Sequence, residues 1–207
     1  MEWGILIILL IVLFIAYAIV QETRAQMHWR GLVAAGDVDA IRQLLEAEVE
    51  SWHTERVPRG TPALLWHGVQ TAVIVDVDAT GTRLSCSAEG ESAIVDGRRV
   101  ETSSPLAEGM KITMKLAEMA LYDVPNLKLD RVQIDVYTSF RGESGRADAL
   151  CVLSTRVERR QVEHIDWEET AAPDFVELTA GRFAAADDGR LMAIEPLPWQ
   201  DEAMRRA

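Results

Sequence analysis

The sequence predicts an α+β fold, in which an N-terminal transmembrane helix precedes helices packed on a mainly antiparallel β-sheet. Three observations lead to this prediction. An unbroken apolar run extends from Trp3 to Val20. After Gly36, apolar residues recur with the three-four spacing of an amphipathic helix. Later stretches alternate apolar and polar residues and are separated by Asp-Gly and other turn signals. Hairpin-connected strands with segregated helices are typical of the α+β class.

The apolar run contains eighteen residues, without a charge or a proline. At about 1.5 Å of helical rise per residue, it reaches nearly across a hydrocarbon core of roughly 30 Å. The chain starts with Glu2 instead of basic residues, and no small-x-small cleavage pattern follows Val20. These features favour an uncleaved anchor over a signal peptide. We therefore expect residues 1–23 to be the transmembrane anchor of a single-pass protein that meets the membrane through residues 3–20.

Basic residues flank the apolar run on one side only. Arg24 and Arg30 follow it, and no Lys or Arg precedes it. The positive-inside rule then predicts a cytoplasmic C-terminal domain. Cys86 and Cys151 lie far apart in alternating stretches and form no CxxC pair. Two buried free thiols fit a reducing compartment, and a single disulfide between them is the alternative.

The chain is acidic, with 33 Asp and Glu against 21 Lys and Arg and a net charge of −12. Such a surface repels phosphate backbones at long range, so a nucleic-acid partner is not expected. The densest basic cluster is Arg156, Arg159 and Arg160, but Glu158 and Glu163 interrupt and follow it. We interpret it as a solvated strand of mixed charge. The expected partner is a protein.

Residues 24–57 are predicted to form juxtamembrane and amphipathic helices. Gly36 can end the first helix, and Asp37 can cap the second. The apolar stripe predicted for the second helix consists of Val38, Ile41, Leu45, Val49 and Trp52. Because one stripe of this helix is apolar, we expect it to pack on the domain.

Residues 58–182 are predicted to form the α+β core domain. Two strands are expected over 69–77 and 83–88, and a hairpin is expected around Asp96-Gly97. Ser104 and Pro105 then predict the start of a helix that extends to about Tyr122. The predicted buried stripe of that helix contains Met110, Met114, Ala117 and Leu121.

Two alternating stretches over 131–140 and 149–157 predict a further hairpin, which residues 161–167 are expected to extend. Residues 183–207 are predicted to form a C-terminal hairpin and an acidic Pro/Trp tail. For that third hairpin we expect strands over 175–183 and 190–194, joined at Asp187-Asp188-Gly189. The segment Glu195-Pro-Leu-Pro-Trp199 is not expected to fold alone.

The chain contains no HExxH, P-loop, GxSxG or GxGxxG motif, and its four histidines are too scattered for the spacing of a metal site. The sequence therefore predicts no cofactor and favours a non-catalytic binding or assembly module over an enzyme. The predicted contact residues are Trp29, Trp52, Trp66 and the Leu197-Pro198-Trp199 tail, since exposed tryptophans often anchor interfaces. The alternative is that these tryptophans pack inside their own domain.

The competing hypothesis is a divergent metal-dependent hydrolase that uses Asp76, Glu89 and Glu91. Asp76 is expected to end one strand and Glu89 to end the next, with Glu91 two residues beyond it on the same side of an extended chain. Carboxylates on neighbouring strands can hold Mg²⁺ and position a hydrolytic water. Over residues 70–140, the order of helix, three strands, helix and strand resembles the restriction-endonuclease-like core, which implies a nuclease-like activity. The lysine of that family's acidic motif is absent, and Glu91 stands in its place.

Overall fold

The computed structural model describes residues 2–95, 97–141, 147–186 and 191–199. Helix α1 (Glu2–Ala34) opens the chain as one continuous helix, so the predicted anchor and juxtamembrane helix have no break between them at residue 23. Its part from Leu10 to Ala34 is long and apolar enough to cross a membrane. The large apolar side chains between Leu10 and Val20 are exposed, and Phe14 is 72 % exposed. Exposed apolar surfaces of this kind mark sites of interaction with proteins or membranes.

Helix α2 (Val38–Thr54) begins as the sequence predicts. Gly36 adopts φ +74°, which turns the chain after α1, and the Asp37 carboxylate accepts a 3.1 Å hydrogen bond from the Ala40 N–H. The predicted stripe is buried from Ile41 to Trp52, whereas Val38 at its start is 36 % exposed. The apolar stripe of α2 is therefore part of the buried core.

A helix that the sequence pattern did not predict follows. Helix α3 (Ala63–Gln70) begins after Pro62 and buries Trp66 and Val69. Strand β1 (Val73–Val77) starts only after it, so the expectation of a strand over 69–77 is wrong for its first residues. The apolar run is short, and its residues fit a buried helix and a buried strand equally well.

In the part of the chain that the structure describes, eight strands form two sheets. They are β1, β2 (Gly81–Ser87), β3 (Glu91–Val95), β4 (Arg98–Ser103), β5 (Arg131–Arg141), β6 (Ala147–Glu158), β7 (Arg182–Ala185) and β8 (Leu191–Met192). The main sheet has the order β1-β2-β5-β6-β7-β8, and β3 pairs with β4 in a separate hairpin. Among the described strands, β2 and β5 alone pair in parallel. The fold is therefore α+β with a mainly antiparallel, mixed sheet.

The crossover between the two parallel strands contains the β3–β4 hairpin and helix α4 (Pro105–Glu118). The hairpin is antiparallel, as its turn signal predicts, although Asp96 in that turn lies outside the described residues. The Ser104 hydroxyl caps α4 by accepting a 3.2 Å hydrogen bond from the Ala107 N–H. One π-helical turn (Met119–Asp123) continues α4, which ends the helical segment where the sequence predicts.

Two C-terminal expectations are wrong. Residues 161–167 do not extend the sheet, because the chain leaves β6 through the short helix α5 (Arg159–Val162). Residues 175–178 lie in helix α6 (Ala172–Leu178), so only β7 remains of the predicted strand over 175–183. β7 does pair antiparallel with β8. The predicted turns at 142–146 and 187–189 lie outside the described residues.

The helices cover one face of the main sheet. Apolar side chains of α2, α3, α4 and α6 form one buried cluster with Leu84, Val132, Ile134 and Leu153 of the strands. Cys86 and Cys151 are both buried and free. Because side chains alternate between the two faces of a strand, the residues between these apolar positions lie on the opposite face, which we call the open face.

Candidate binding site

Polar side chains of three neighbouring strands meet on the open face. Arg83 of β2 lies opposite Gln133 of β5, and Gln133 lies opposite Arg156 of β6. Two residues further along β5, Asp135 lies opposite Ser154. All five positions are out of phase with the apolar positions that face the helices, so the strand period alone places them together.

The Asp135 carboxylate is the centre of this cluster. It is fully buried and accepts a 2.7 Å hydrogen bond from Arg83 Nε. Its other oxygen accepts hydrogen bonds from the Ser154 hydroxyl and, at 3.3 Å, from Gln133 Nε2. A buried carboxylate is tolerated when it is paired with a cation and hydrogen-bonded, and Asp135 meets both conditions.

The chain covers this cluster with its own residues Ile194–Trp199, which we call the tail segment. Both main-chain groups of Leu197 are bound: its N–H donates to Ser154 Oγ at 2.9 Å, and its carbonyl accepts from Gln133 Nε2 at 2.8 Å. The Pro198 carbonyl accepts from Arg156 Nη2. At the start of the segment, the Ile194 N–H donates to the Cys151 carbonyl at 2.8 Å. The open face thus holds an extended segment through its main chain.

The two prolines of the tail segment explain why it can lie on a polar face without a strand partner. Pro196 and Pro198 have no N–H group, so Leu197 has the only main-chain donor between them. Ser154 satisfies that donor. A segment without prolines would bring additional N–H groups, and each would need an acceptor when buried.

Trp199 ends the tail segment and is 1 % exposed. Its ring lies 5.0 Å from the guanidinium carbon of Arg131, a cation–π contact. Arg131 is fixed in turn by an ion pair with Asp78 and by a 2.9 Å hydrogen bond from Nη1 to Thr80 Oγ1. Gly81 makes room for Arg131, because a Cβ at that position would lie 2.5 Å from Arg131 Cγ.

The open face is rich in cations despite the acidic chain. It includes Arg83, Arg131, Arg156 and, opposite Ser154 on β7, Arg182. Burial lowers the pKa of Arg156, and the charge of Arg131 lowers it further. Among the described residues, three buried N–H groups near the end of the tail segment have no acceptor: Arg131 Nε, Arg156 Nε and Trp199 Nε1. The face therefore has more donors than its occupant satisfies.

Two groups that lie opposite each other on β5 and β6, Tyr137 and Cys151, favour their neutral forms. Burial raises the pKa of Cys151 to about 11, with a smaller contribution from the charge of Asp135. Burial also raises the pKa of Tyr137, and Asp135 contributes again. Both groups therefore remain protonated at neutral pH.

The four predicted contact tryptophans have different surroundings. Trp52 and Trp66 are 1 % and 2 % exposed in the core, where their Nε1 groups donate to Glu48 and to the Glu55 carbonyl. They are not on a surface that a partner can reach. Trp29 is half-buried on α1 beside His28. Trp199 lies on the open face, so it alone is part of this site.

The three acids of the hydrolase hypothesis are not brought together. Asp76 pairs with Arg83, near the start of β2, because β1 and β2 are antiparallel. Glu89 and Glu91 follow the end of β2 at Ser87, which is four residues beyond Arg83. About 13 Å of strand therefore separates Arg83, the partner of Asp76, from the end of β2 that precedes the two glutamates. The Asp76 carboxylate accepts from the Val77 N–H and lies 3.9 Å from Arg42. Within the described residues, no group of three His, Cys, Asp or Glu side chains is placed to hold a metal ion.

Away from the open face, the C-terminal end of α1 contacts the domain. Arg30 Nε donates a 3.0 Å hydrogen bond to Asn126 Oδ1, in the loop that follows the π-helical turn. Val33 packs against the core cluster from the same end of α1. Between α1 and this loop lies a cleft of about 630 Å³, lined also by Tyr122 and Lys128. The C-terminal end of α1 is thus in contact with the domain.

Sequence reasoning missed Gln133, Asp135 and Ser154 as site residues. The alternation of β5 does place Gln133 and Asp135 on one face, opposite the apolar residues. Polar residues in that pattern are usually solvated, however. The pattern does not predict that the tail segment covers these side chains. The available signal was the Pro-Leu-Pro-Trp sequence, which the strand pattern does not explain.

The fold and the site define an α+β domain that holds an extended segment on the polar face of its sheet, behind an N-terminal apolar helix. Comparison of the chain with protein families, with curated proteins and with solved structures gave no match.

Proposed function

We propose that this chain is a single-pass, membrane-anchored, non-catalytic binding module whose α+β domain lies in the cytoplasm and binds a protein partner on the open face. The observation that supports this most strongly is the tail segment, whose main chain is bound by Gln133, Ser154 and Arg156. Main-chain recognition of an extended segment is a common mode of peptide binding.

The anchor supports a role at a membrane. The apolar side chains of α1 are exposed over the part that is long enough to span a bilayer. The contacts of Arg30 and Val33 join α1 to the domain. A docked anchor restricts how the domain is presented to the bilayer and raises its effective concentration near membrane partners.

The orientation is tested with a reporter fused after Ala207 in the full chain. Arg24 and Arg30 follow the apolar run, so we expect a reporter that is active only in the cytoplasm to function. The control is a matched fusion in which the positive charges are moved to the other side of the apolar run. It carries Arg24→Gln, Arg30→Gln and two lysines inserted after Glu2, and it should favour the cytoplasmic orientation less strongly. Activity of the original fusion only outside the cytoplasm would contradict the proposed location.

Binding on the open face is tested by photo-crosslinking in membranes. A photoreactive residue replaces Ser85, which lies opposite Asp135 on the open face, and in the control it replaces Gln43, which is exposed on α2. We expect a discrete crosslinked protein from position 85 and none from position 43. Equal labelling from both positions, or none from either, would contradict a binding role for the open face.

A further inference from the structure

We propose that the partner segment is an extended acidic peptide with prolines on both sides of its central residue, which binds the open face in place of the chain's own tail segment. This inference rests on the proposed function and names the chemistry of the partner at the same site.

The main-chain requirements of the site define the proline pattern. Ser154 Oγ accepts the one main-chain N–H that lies between the two prolines of the tail segment. Three side chains donate to its main-chain carbonyls: Gln133, Arg156 and Arg182. A peptide with proline on both sides of one central residue presents one N–H and several carbonyls, which matches that set. The tail segment satisfies the pattern through Pro196 and Pro198.

The charges of the site define the acidic character. Asp135 pairs with Arg83, and Asp78 pairs with Arg131. Within the described residues, Arg156 and Arg182 have no carboxylate at ion-pair distance, and the tail segment contributes only main-chain oxygens to them. A peptide carboxylate near Arg156 would form a charge-assisted hydrogen bond in place of a neutral one.

The unsatisfied donors indicate where that carboxylate belongs. Arg131 Nε and Arg156 Nε are buried without an acceptor among the described residues. Both arginines contact the end of the tail segment, Arg131 through the Trp199 ring and Arg156 through the Pro198 carbonyl. Trp199, which occupies this end, brings an indole N–H of its own that also lacks an acceptor. Because each unsatisfied buried donor is unfavourable, an acidic residue in place of the tryptophan suits the position better.

The test uses the full chain in detergent micelles and three fluorescein-labelled peptides. The probes are Ala-Ile-Glu-Pro-Leu-Pro-Trp, which copies residues 193–199, and two relatives that end in Glu or in Lys. Fluorescence anisotropy measures binding to the wild-type chain and to Trp199→Ala, which weakens the docking of the tail. A second variant, Leu197→Pro, removes the N–H that Ser154 accepts and leaves Trp199 in place.

We expect the Glu peptide to bind Trp199→Ala at least tenfold more tightly than it binds the wild-type chain, and more tightly than the Lys peptide does. Adding Arg156→Gln should weaken that binding at least tenfold. The matched control, Arg160→Gln, changes an exposed arginine of α5 outside the open face and should leave binding unchanged.

Three outcomes would contradict the proposal: Glu and Lys peptides that bind alike, an Arg160→Gln effect equal to that of Arg156→Gln, or folded tail variants that bind no probe. If both tail variants fail to fold, binding of the Glu peptide to the wild-type chain is the test. A lack of saturable binding that depends on Arg156 would then contradict the proposal. If crosslinks form from position 85 but the peptides do not bind, the proposal that the open face binds a protein is retained. Only the proposal of an acidic, proline-containing partner segment is then rejected.

Discussion

Ser154 on β6 accepts a 2.9 Å hydrogen bond from the main-chain N–H of Leu197, and its own hydroxyl hydrogen bonds to the buried carboxylate of Asp135. One side chain therefore connects the tail segment to the charged centre of the open face. This link explains how a segment without a strand partner is held on the sheet, and it is the most direct place to perturb the site.

Ser154→Ala should release the tail segment. The substitution leaves the Leu197 N–H without its acceptor, which costs roughly 1–3 kcal/mol when the group stays buried. We expect a lower free energy of unfolding in urea and faster proteolysis of the C-terminal residues. Ser139→Ala, at an exposed position of β5, is the matched control and should change neither quantity. Unchanged proteolysis in Ser154→Ala would show that other contacts hold the segment.

Asp135→Ala should destabilise the domain strongly. It leaves the Arg83 guanidinium without the carboxylate that lies 2.7 Å away, and loss of one partner of a buried ion pair typically costs about 3–5 kcal/mol. Urea denaturation measures the change, and Asp148→Ala, an exposed acid on β6, is the control. The double variant Arg83→Met/Asp135→Leu removes both charges and should be less destabilised than Asp135→Ala. A loss below 1 kcal/mol would mean that water reaches the pair.

Gly81→Ala should displace Arg131 from its place over Trp199. The new Cβ would lie 2.5 Å from Arg131 Cγ and 2.8 Å from the Arg131 carbonyl oxygen, and the main-chain atom cannot move aside easily. Overpacking of this kind costs roughly 1–3 kcal/mol. Thermal unfolding measures it. Gly31→Ala, in α1 with no heavy atom within 4 Å of the new Cβ, should be neutral or slightly stabilising. Equal unfolding midpoints for the two variants would contradict the close approach at Gly81.

Cys151 predicts a pH dependence of stability. Its pKa is raised from 9.0 to about 11 in the folded protein, so the unfolded state loses the thiol proton first as pH rises. The stabilisation from the neutral thiol is fully present below pH 9 and is lost between about pH 9 and 11. The difference in free energy of unfolding between wild type and Cys151→Ala should therefore fall by roughly 2 kcal/mol over this window. A difference that is constant with pH would show that the thiol is not buried from solvent.

Local features of the sequence determined several elements of this protein. The apolar run predicted α1, and the caps at Asp37 and Ser104 predicted where α2 and α4 begin. Helical periodicity predicted the buried stripe of α2, and the Asp-Gly turn predicted the β3–β4 hairpin. These features depend on interactions within a few residues, and so a sequence pattern is sufficient to identify them.

Two features became visible only in the tertiary structure. They are the parallel pairing of β2 with β5 and the position of the tail segment on the open face. Alternation along β5 separates Gln133 and Asp135 from the apolar residues, but whether their face meets water depends on a segment distant in the chain. Leu197 lies 43 residues from Ser154 and 64 residues from Gln133. Contacts over such distances arise only when the chain has closed the intervening loops, so local propensity and periodicity do not encode them.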